Sequence, residues 1–320
     1  QQVSLLPYPD GEVRRITNDL NLYFGLSLTA DARTLSTVQH SVISNIWVAP
    51  PGDPSRAVQI KSGGSNFEGT GGLAWTPDGR IVYSSMAGGS HDIWIMNGNG
   101  SGQKQLTSEG VNLRAKVTPD GRYIVFESMT SLSGKESNIW RMDLDGGNLT
   151  KLTSGNSDGY PSITPDSRWV VYTSKSSQDW RLWKVSIDGG IAEQLTDQPA
   201  RNALVSSDGK FIFCEYGSGS SLRWRKAVIP YEGGLPVRFL DMPGFANIYR
   251  WAKDSRSITD LESQGGAANL GTFPLDGTQP KQLTNFQTEE TFDFDWSPDG
   301  SLVLSRGPVT RDVVLISNFR

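Results

Sequence analysis

The sequence predicts an all-β chain assembled from repeated four-stranded units, and three observations carry that reading. The first is a turn. "TPDGR" stands at Thr76–Arg80 and again at Thr118–Arg122, and weakened copies occur as "TADAR" from Thr29, "TPDSR" from Thr164, "SSDGK" from Ser206, "KDSRS" from Lys253 and "SPDGS" from Ser297. The second is spacing. The turn aspartates Asp31, Asp78, Asp120, Asp166, Asp208, Asp254 and Asp299 lie 47, 42, 46, 42, 46 and 45 residues apart, a period at which each repeat is one small sheet that buries its faces only against its neighbours. The third is the set of short β-rich runs around every turn. Together they predict a single domain over residues 1–320, a seven-bladed β-propeller of four-stranded antiparallel blades.

Each element has a physical reason. In the turn, Pro presets the first corner, Asp bonds back to nearby backbone, and Gly takes the left-handed position before the next strand. Runs such as "GGLAW" then "IVYSS", or "PSI" then "WVVYTS", flank it as first and second strands. Third strands follow in "NIWVAP" from Asn45, "DIWIMN" from Asp92, "NIWRMD" from Asn138, "RLWKVS" from Arg181 and, more weakly, "RDVVLI" from Arg311. Fourth strands read as "QKQLTS", "LTKLTS", "AEQLTD" and "PKQLTN", reached through turns such as "DLDGG" and "SIDGG". The last unit, beginning near Phe292, lacks a fourth strand of its own. "GEVRRITND", Gly11–Asp19, reads like one. Residues 12–18 are therefore expected to close the ring as the outermost strand beside residues 292–317, covering an edge otherwise open to aggregation. Residues 1–10 either lie outside the ring or are the remnant of a preceding blade.

Composition narrows the function classes. Apolar residues are 36% of the 320 and charged residues 20%, a globular balance. A net charge of -4 and a pI near 5.3 argue against a nucleic-acid partner, because phosphate binding needs a Lys/Arg surplus on one face. No apolar run approaches the roughly 20 residues of a membrane span, so no membrane contact by this chain itself is expected. "QQVSLLPYPD" lacks the layout of a signal peptide, and the start at Gln1 rather than Met suggests a piece of something longer. The one cysteine, Cys214 in "KFIFCEY", reads as small core filler.

Repeated residues read as structure. Trp47, Trp94, Trp140 and Trp183 recur at one blade position, which points to packing between blades rather than an aromatic binding ring. "DLDGGN" from Asp143 has the alternating oxygens that open a calcium loop, but no glutamate follows at the right distance, so a turn is expected. His40 and His91 are the only histidines, too few for a three-histidine metal centre. No segment matches the G-x-S-x-G elbow of serine hydrolases. The Gly-rich runs "GGSNFEGTGG" from Gly63 and "GNGSG" from Gly98 precede no helix and read as loops rather than phosphate cradles. No catalytic residue, cofactor or metal is expected.

Residues that differ from blade to blade are the candidate site, since the repeat does not require them. The segments entering each first strand carry Tyr23, Glu68, Asn112 and Arg114, then Asp158, Tyr160, Arg201 and Asn202, and finally Tyr249, Arg250, Glu290 and Asp293. This mixed polar and aromatic set at the channel entrance suits a protein or small-molecule ligand at the axis. A merely solvated channel accounts for it equally well.

The "TPDGR-x-IV", "(N/D)IW" and "QLT" pattern resembles the TolB-like, PD40 class of WD40-like propellers over nearly the whole chain. "YPDGEVRRITND", "SLTADARTLSTVQ" and "WSPDGSLVLSRGPVTRDVVLISNFR" are similar to the carboxy-terminal propeller of acidobacterial receptor-type serine/threonine protein kinases. That resemblance implies a non-catalytic sensor domain, monomeric, placed outside the cytoplasm on a membrane-anchored parent, with a cytoplasmic setting as the alternative. The Gly-rich loop, HRD and DFG motifs of a kinase are absent from this stretch. A stand-alone periplasmic interaction scaffold is the second reading, and a propeller lyase or peptidase accessory domain the third.

Overall fold

The computed structural model of the chain describes residues 2–19, 21–61, 67–130, 136–176, 179–218, 223–242, 248–264 and 267–319. The Gly-rich run from Gly63 falls partly outside them. The chain opens with β1 (Ser4–Leu5), β2 (Arg14–Arg15), β3 (Leu22–Leu28) and β4 (Thr34–Val42), followed by β5 (Asn45–Ala49) and β6 (Val58–Lys61). Five sets of four come next. They are β7 (Leu73–Trp75), β8 (Arg80–Ser85), β9 (Asp92–Asn97) and β10 (Lys104–Gln105); β11 (Val111–Val117), β12 (Tyr123–Met129), β13 (Ser137–Asp143) and β14 (Thr150–Lys151). The third set is β15 (Asp158–Ile163), β16 (Trp169–Ser176), β17 (Asp179–Ser186) and β18 (Glu193–Gln194). The fourth is β19 (Ala200–Val205), β20 (Phe211–Ser218), β21 (Arg223–Pro230) and β22 (Arg238–Leu240). The fifth is β23 (Arg250–Trp251), β24 (Ser257–Gln264), β25 (Ala267–Pro274) and β26 (Lys281–Gln282). The chain finishes with β27 (Glu290–Trp296), β28 (Leu302–Gly307) and β29 (Val309–Ser317).

The chain divides into two compact units, Ser44–Arg306 and Gln1–Ile43 with Gly307–Arg320. In the larger unit each set of four is one antiparallel sheet, and a sixth sheet has the order β27-β28-β5-β6. First strands of successive sheets touch, β7 to β11 to β15 to β19 to β23, and β27 meets both β25 and β7. The unit is a closed ring of six blades, and the seventh turn anchor, Asp31, lies in the other unit.

Local chemistry explains the blades. In the turn at Thr76, the Thr76 hydroxyl accepts from the Arg80 amide at 2.8 Å and donates to Asp78, while Gly79 sits at φ +81°. Where glycine is missing, Ala32, Ser167 and Ser255 take the same left-handed position at φ 56°, 61° and 56°, so the geometry outlives the motif. Second strands such as β8, "RIVYSS", are buried on both faces, and β-branched side chains suit that setting. Among the described residues six apolar clusters fill the six gaps between blades. Ile46, Leu73, Ile81, Tyr83, Met96 and Val303 form the one that joins the sixth blade to the first. Each fully buried aliphatic side chain there contributes about 2 kcal/mol. Trp47, Trp94, Trp140 and Trp183 each pack against one such cluster, the packing role that their repetition predicts.

In the smaller unit β29, β4 and β3 form a three-stranded antiparallel sheet, and β1 pairs with β2. Val3, Tyr23 and Leu35 are its buried centre.

The expected closure is corrected. β2, inside Gly11–Asp19, pairs with β1 in the register Ser4↔Arg15 and not with the last repeat. The first and last repeats instead exchange strands. β28 takes β5 as its third strand, Leu304↔Trp47, and β4 takes β29, Val313↔Val38. The physical reason lies in side chains: "NIWVA" carries Ile46 and Ala49 fully buried, a strand fit for a gap between blades. "VTRDVVLIS" leaves Val313 74% and Leu315 68% exposed. In "DLDGGN" the Asp143 carboxylate accepts from Asn148 and that of Asp145 from the Gly147 amide, so both are taken up by the turn. Among the described residues no helix is long and apolar enough to cross a membrane.

Candidate functional site

A cavity of about 440 Å³ lies among the first strands of the six-bladed unit, its charged and polar wall including Arg114, Lys116, Tyr160, Asn202, Arg250 and Asp293. These residues reach it through a repeated distortion. β11, β15 and β19 each break register once against the second strand, between Leu113 and Lys116, Gly159 and Ser162, and Arg201 and Leu204. Inside the three bulges Arg114, Tyr160 and Asn202 stand at φ 56°, 56° and 57°, a conformation that strains any residue with a Cβ. Each bulge amide bonds to the preceding blade: Arg114 to the Gly71 carbonyl at 2.5 Å, Tyr160 to the Glu127 carboxylate at 3.2 Å, Asn202 to the Thr173 hydroxyl at 2.9 Å. The bulges are thus rivets between blades, and they turn three side chains toward the axis.

Carboxylates behind the wall fix the cations in it. Glu127 accepts from Arg114 at 3.0 Å, and the Arg114 guanidinium lies 4.0 Å from the centre of the Tyr160 ring while donating to its hydroxyl at 3.1 Å. Gly159 makes room for this: a Cβ there would stand 2.4 Å from Glu127 Oε2. Across the cavity Arg250 pairs with Asp293 at 2.9 Å and with Asp295 at 3.3 Å, while Asp295 accepts from the Trp75 amide at 2.9 Å. This links the fifth, sixth and first blades. Burial works against the Arg250 charge, but Asp293 and Asp295 outweigh it and hold the guanidinium above its ordinary range.

The structure brings together Arg114, Tyr160, Asn202, Arg250 and Asp293 from the sequence-derived set, with Tyr249 also touching the cavity. It separates the others. Tyr23 belongs to the smaller unit, where its hydroxyl donates to Asp19 at 2.5 Å. Glu68, Asn112 and Asp158 are buried rather than at an open entrance. Glu68 pairs with Lys61 at 3.6 Å, Asn112 donates to Thr107 at 3.1 Å, and Asp158 accepts from the Gly155 amide at 2.9 Å. Arg201 is held by Glu215 at 2.6 Å and stacks on Trp224, and neither it nor Glu290 lines the cavity. Tyr249 is only 4% exposed, its ring edge-on to Phe213 and its hydroxyl bonded to Lys226. It is a core residue with one face on the site.

Sequence reading missed Lys116 and His91, both in the wall. A signal existed. The residues six before each turn aspartate are Gly25, Gly72, Arg114, Tyr160, Asn202, Ile248 and Asp293, one position per repeat, and all but Gly25 line the cavity.

Ring, blade topology and axial cavity define a β-propeller. More narrowly, the TolB beta propeller domain family, PD40, matches residues 35–207, and the chain belongs to that family. Among solved structures it is similar to TolB from Acinetobacter baumannii, at 19% identity and a TM-score of 0.60, over 88% of this chain and 62% of that one. It therefore spans less than two thirds of that relative. It is also similar to a chain of the nidogen/laminin complex, at 12% identity and a TM-score of 0.57, over 84% and 98% of the two chains. A prolyl endopeptidase, at 12% identity and a TM-score of 0.50, is covered over half its length by 96% of this chain. These likenesses are of fold. A search among curated proteins finds no match.

Proposed function

We propose that this chain is a non-catalytic recognition domain, which binds a segment of a partner protein or a small ligand in the axial cavity and serves as the sensing part of a larger protein. One observation carries the reading. Arg114, Tyr160 and Asn202 hold left-handed backbone positions that glycine would occupy with less strain. Ala32, Ser167 and Ser255 hold the same conformation in turns, so what supports a site is that three such positions bring large polar and aromatic side chains to one cavity. Aromatic and arginine side chains held by partners behind them suit recognition, since little further ordering is needed on binding.

The larger protein is, in this reading, a receptor-type serine/threonine kinase anchored in the membrane, with the propeller outside the cytoplasm and monomeric. That finer assignment rests on the resemblance of the chain ends. A stand-alone periplasmic scaffold is the alternative, favoured by the likeness to TolB, and the reading frame encoding the chain decides between them. The test of the site is capture of a partner by the immobilised domain. The Arg114→Ala/Tyr160→Ala double variant, checked for folding by urea titration, should bind at least about tenfold more weakly. A partner that binds this variant normally but is lost when the outer strand at Lys281 is altered would place recognition on the rim and refute the reading.

A further inference from the structure

The cations of the cavity are not equivalent. Arg114 is neutralised by Glu127 at 3.0 Å, and Arg250 by Asp293 at 2.9 Å and Asp295 at 3.3 Å. Lys116 follows Arg114 by two residues on β11, lines the same cavity, and has neither an ion-pair nor a hydrogen-bond partner among the described residues. Its side chain is half-buried, so the ammonium is open to whatever enters the cavity. We infer that Lys116 is the anchor of an anion subsite in the cavity, and that it takes one carboxylate of the ligand.

This rests on the cavity being the recognition site. Its chemistry follows from charge. Arg114, Lys116 and Arg250 are balanced in number by Glu127, Asp293 and Asp295, but Lys116 alone of the three cations makes no contact pair among the described residues. The wall thus has one cation to offer and no surplus charge for a dianion, and a monoanion suits it better than a phosphate dianion. The groups facing Lys116 are Arg114 on its own strand, Arg250 on β23, and Asp293 and Asp295 on β27, with Tyr160 and His91 completing the wall. Burial, with Arg250 and Arg114 beside it, pushes the ammonium down to about 8, against the pull of Asp293 and Asp295. A bound carboxylate would reverse that displacement. The carboxylate can belong to a glutamate or aspartate of a peptide segment or to a small organic acid.

Three probes separate these sources: the peptide acetyl-Gly-Glu-Gly-amide, its Gln counterpart, and glutaramate as a small monocarboxylate. Binding is followed calorimetrically at constant ionic strength, and the Lys116 ammonium is titrated by 13C NMR of the reductively methylated protein, its signal assigned by loss in Lys116→Gln. The Glu peptide should bind at least about tenfold better than the Gln peptide, the scale of one charge-assisted contact, and should raise the Lys116 titration midpoint. Lys116→Met should abolish the preference. Binding of the Glu peptide alone identifies a peptide ligand, and binding of glutaramate alone a small acid. Equal saturable binding of the two peptides, binding of any probe that survives Lys116→Met undiminished, an unmoved midpoint with a bound probe, or no saturable binding of any probe overturns the inference. If that happens while a captured partner still requires Arg114 and Tyr160, the cavity remains the recognition site and only the anchor is lost.

Discussion

Asp260 on β24 offers a quantitative test of how the blades are packed. It is fully buried, its Oδ1 accepts from the Leu261 amide at 2.7 Å, and its Oδ2 has no hydrogen-bond partner among the described residues. Burial raises its carboxyl from the ordinary 3.8 to about 7, opposed by the Leu261 amide and by Lys226 and assisted by Glu262. A displacement of that size corresponds to about 4 kcal/mol of preference for the protonated form in the folded state. The sign follows from proton counting. Between pH 4 and 7 the folded protein holds a proton that the unfolded chain has lost, so stability falls as pH rises through that window and levels off above it. Replacing Asp260 with Asn removes the dependence. Between pH 5 and pH 8 the wild type should lose about 2.5 kcal/mol more than Asp260→Asn. Urea unfolding followed by tryptophan fluorescence at each pH measures both. Other titrating groups cancel in the difference, as does any constant cost of the amide. If the two proteins change in parallel, Asp260 is already ionised in the folded state at pH 5 and the packing argument fails.

Three further outcomes are expected. Gly159→Ala places a methyl 2.4 Å from Glu127 Oε2 and should push that carboxylate off Arg114 and the Tyr160 amide, at a cost of about 2 to 4 kcal/mol in urea titration; an unchanged midpoint would show that Glu127 is not the rivet. Ile46→Ala, in the cluster with Leu73, Tyr83 and Val303, should cost about 2 to 5 kcal/mol, whereas Val58→Ala, at a side chain 61% exposed, should stay within about 0.5 kcal/mol. Cys214 is fully buried and burial raises its thiol, so a thiol-specific disulfide reagent should leave the native protein unlabelled and react only after unfolding; prompt labelling without denaturant would contradict its place in the core.

The repeat was legible because turns are local. Thr76, Asp78 and Gly79 close their hairpin through bonds spanning four residues, and a composition so constrained leaves a trace in any sequence. Pairing at the seams was not legible. "RDVVLI" and "NIWVA" both read as third strands, and the choice between them for β28 is made by buried volume in a gap that exists only once two distant blades meet. The site was half legible for a related reason. Arg114, Tyr160 and Asn202 stand out as departures from the repeat, but whether a departing residue faces the axis depends on its offset from the turn. Glu68 and Asp158 depart as well, yet both are buried in the blades, one beside Lys61 and the other against the Gly155 amide. Lys116 escaped notice because a lysine in a strand reads as a solvated face, and only the ring folds it inward.

The pairing of β5 with β28 also sets a timetable for synthesis. Ala49 finds its partner in Leu302, so the hairpin of β5 and β6 leaves the ribosome long before the strand that completes its sheet. At roughly 5 to 20 residues per second the wait is on the order of 10 to 50 s, during which the apolar edge of "NIWVA" stays open to other chains. The blades between, each closed by its own neighbours in sequence, can form in that interval and bring the ends together. A nascent chain stalled before Leu302 is therefore the form of this protein most in need of a chaperone.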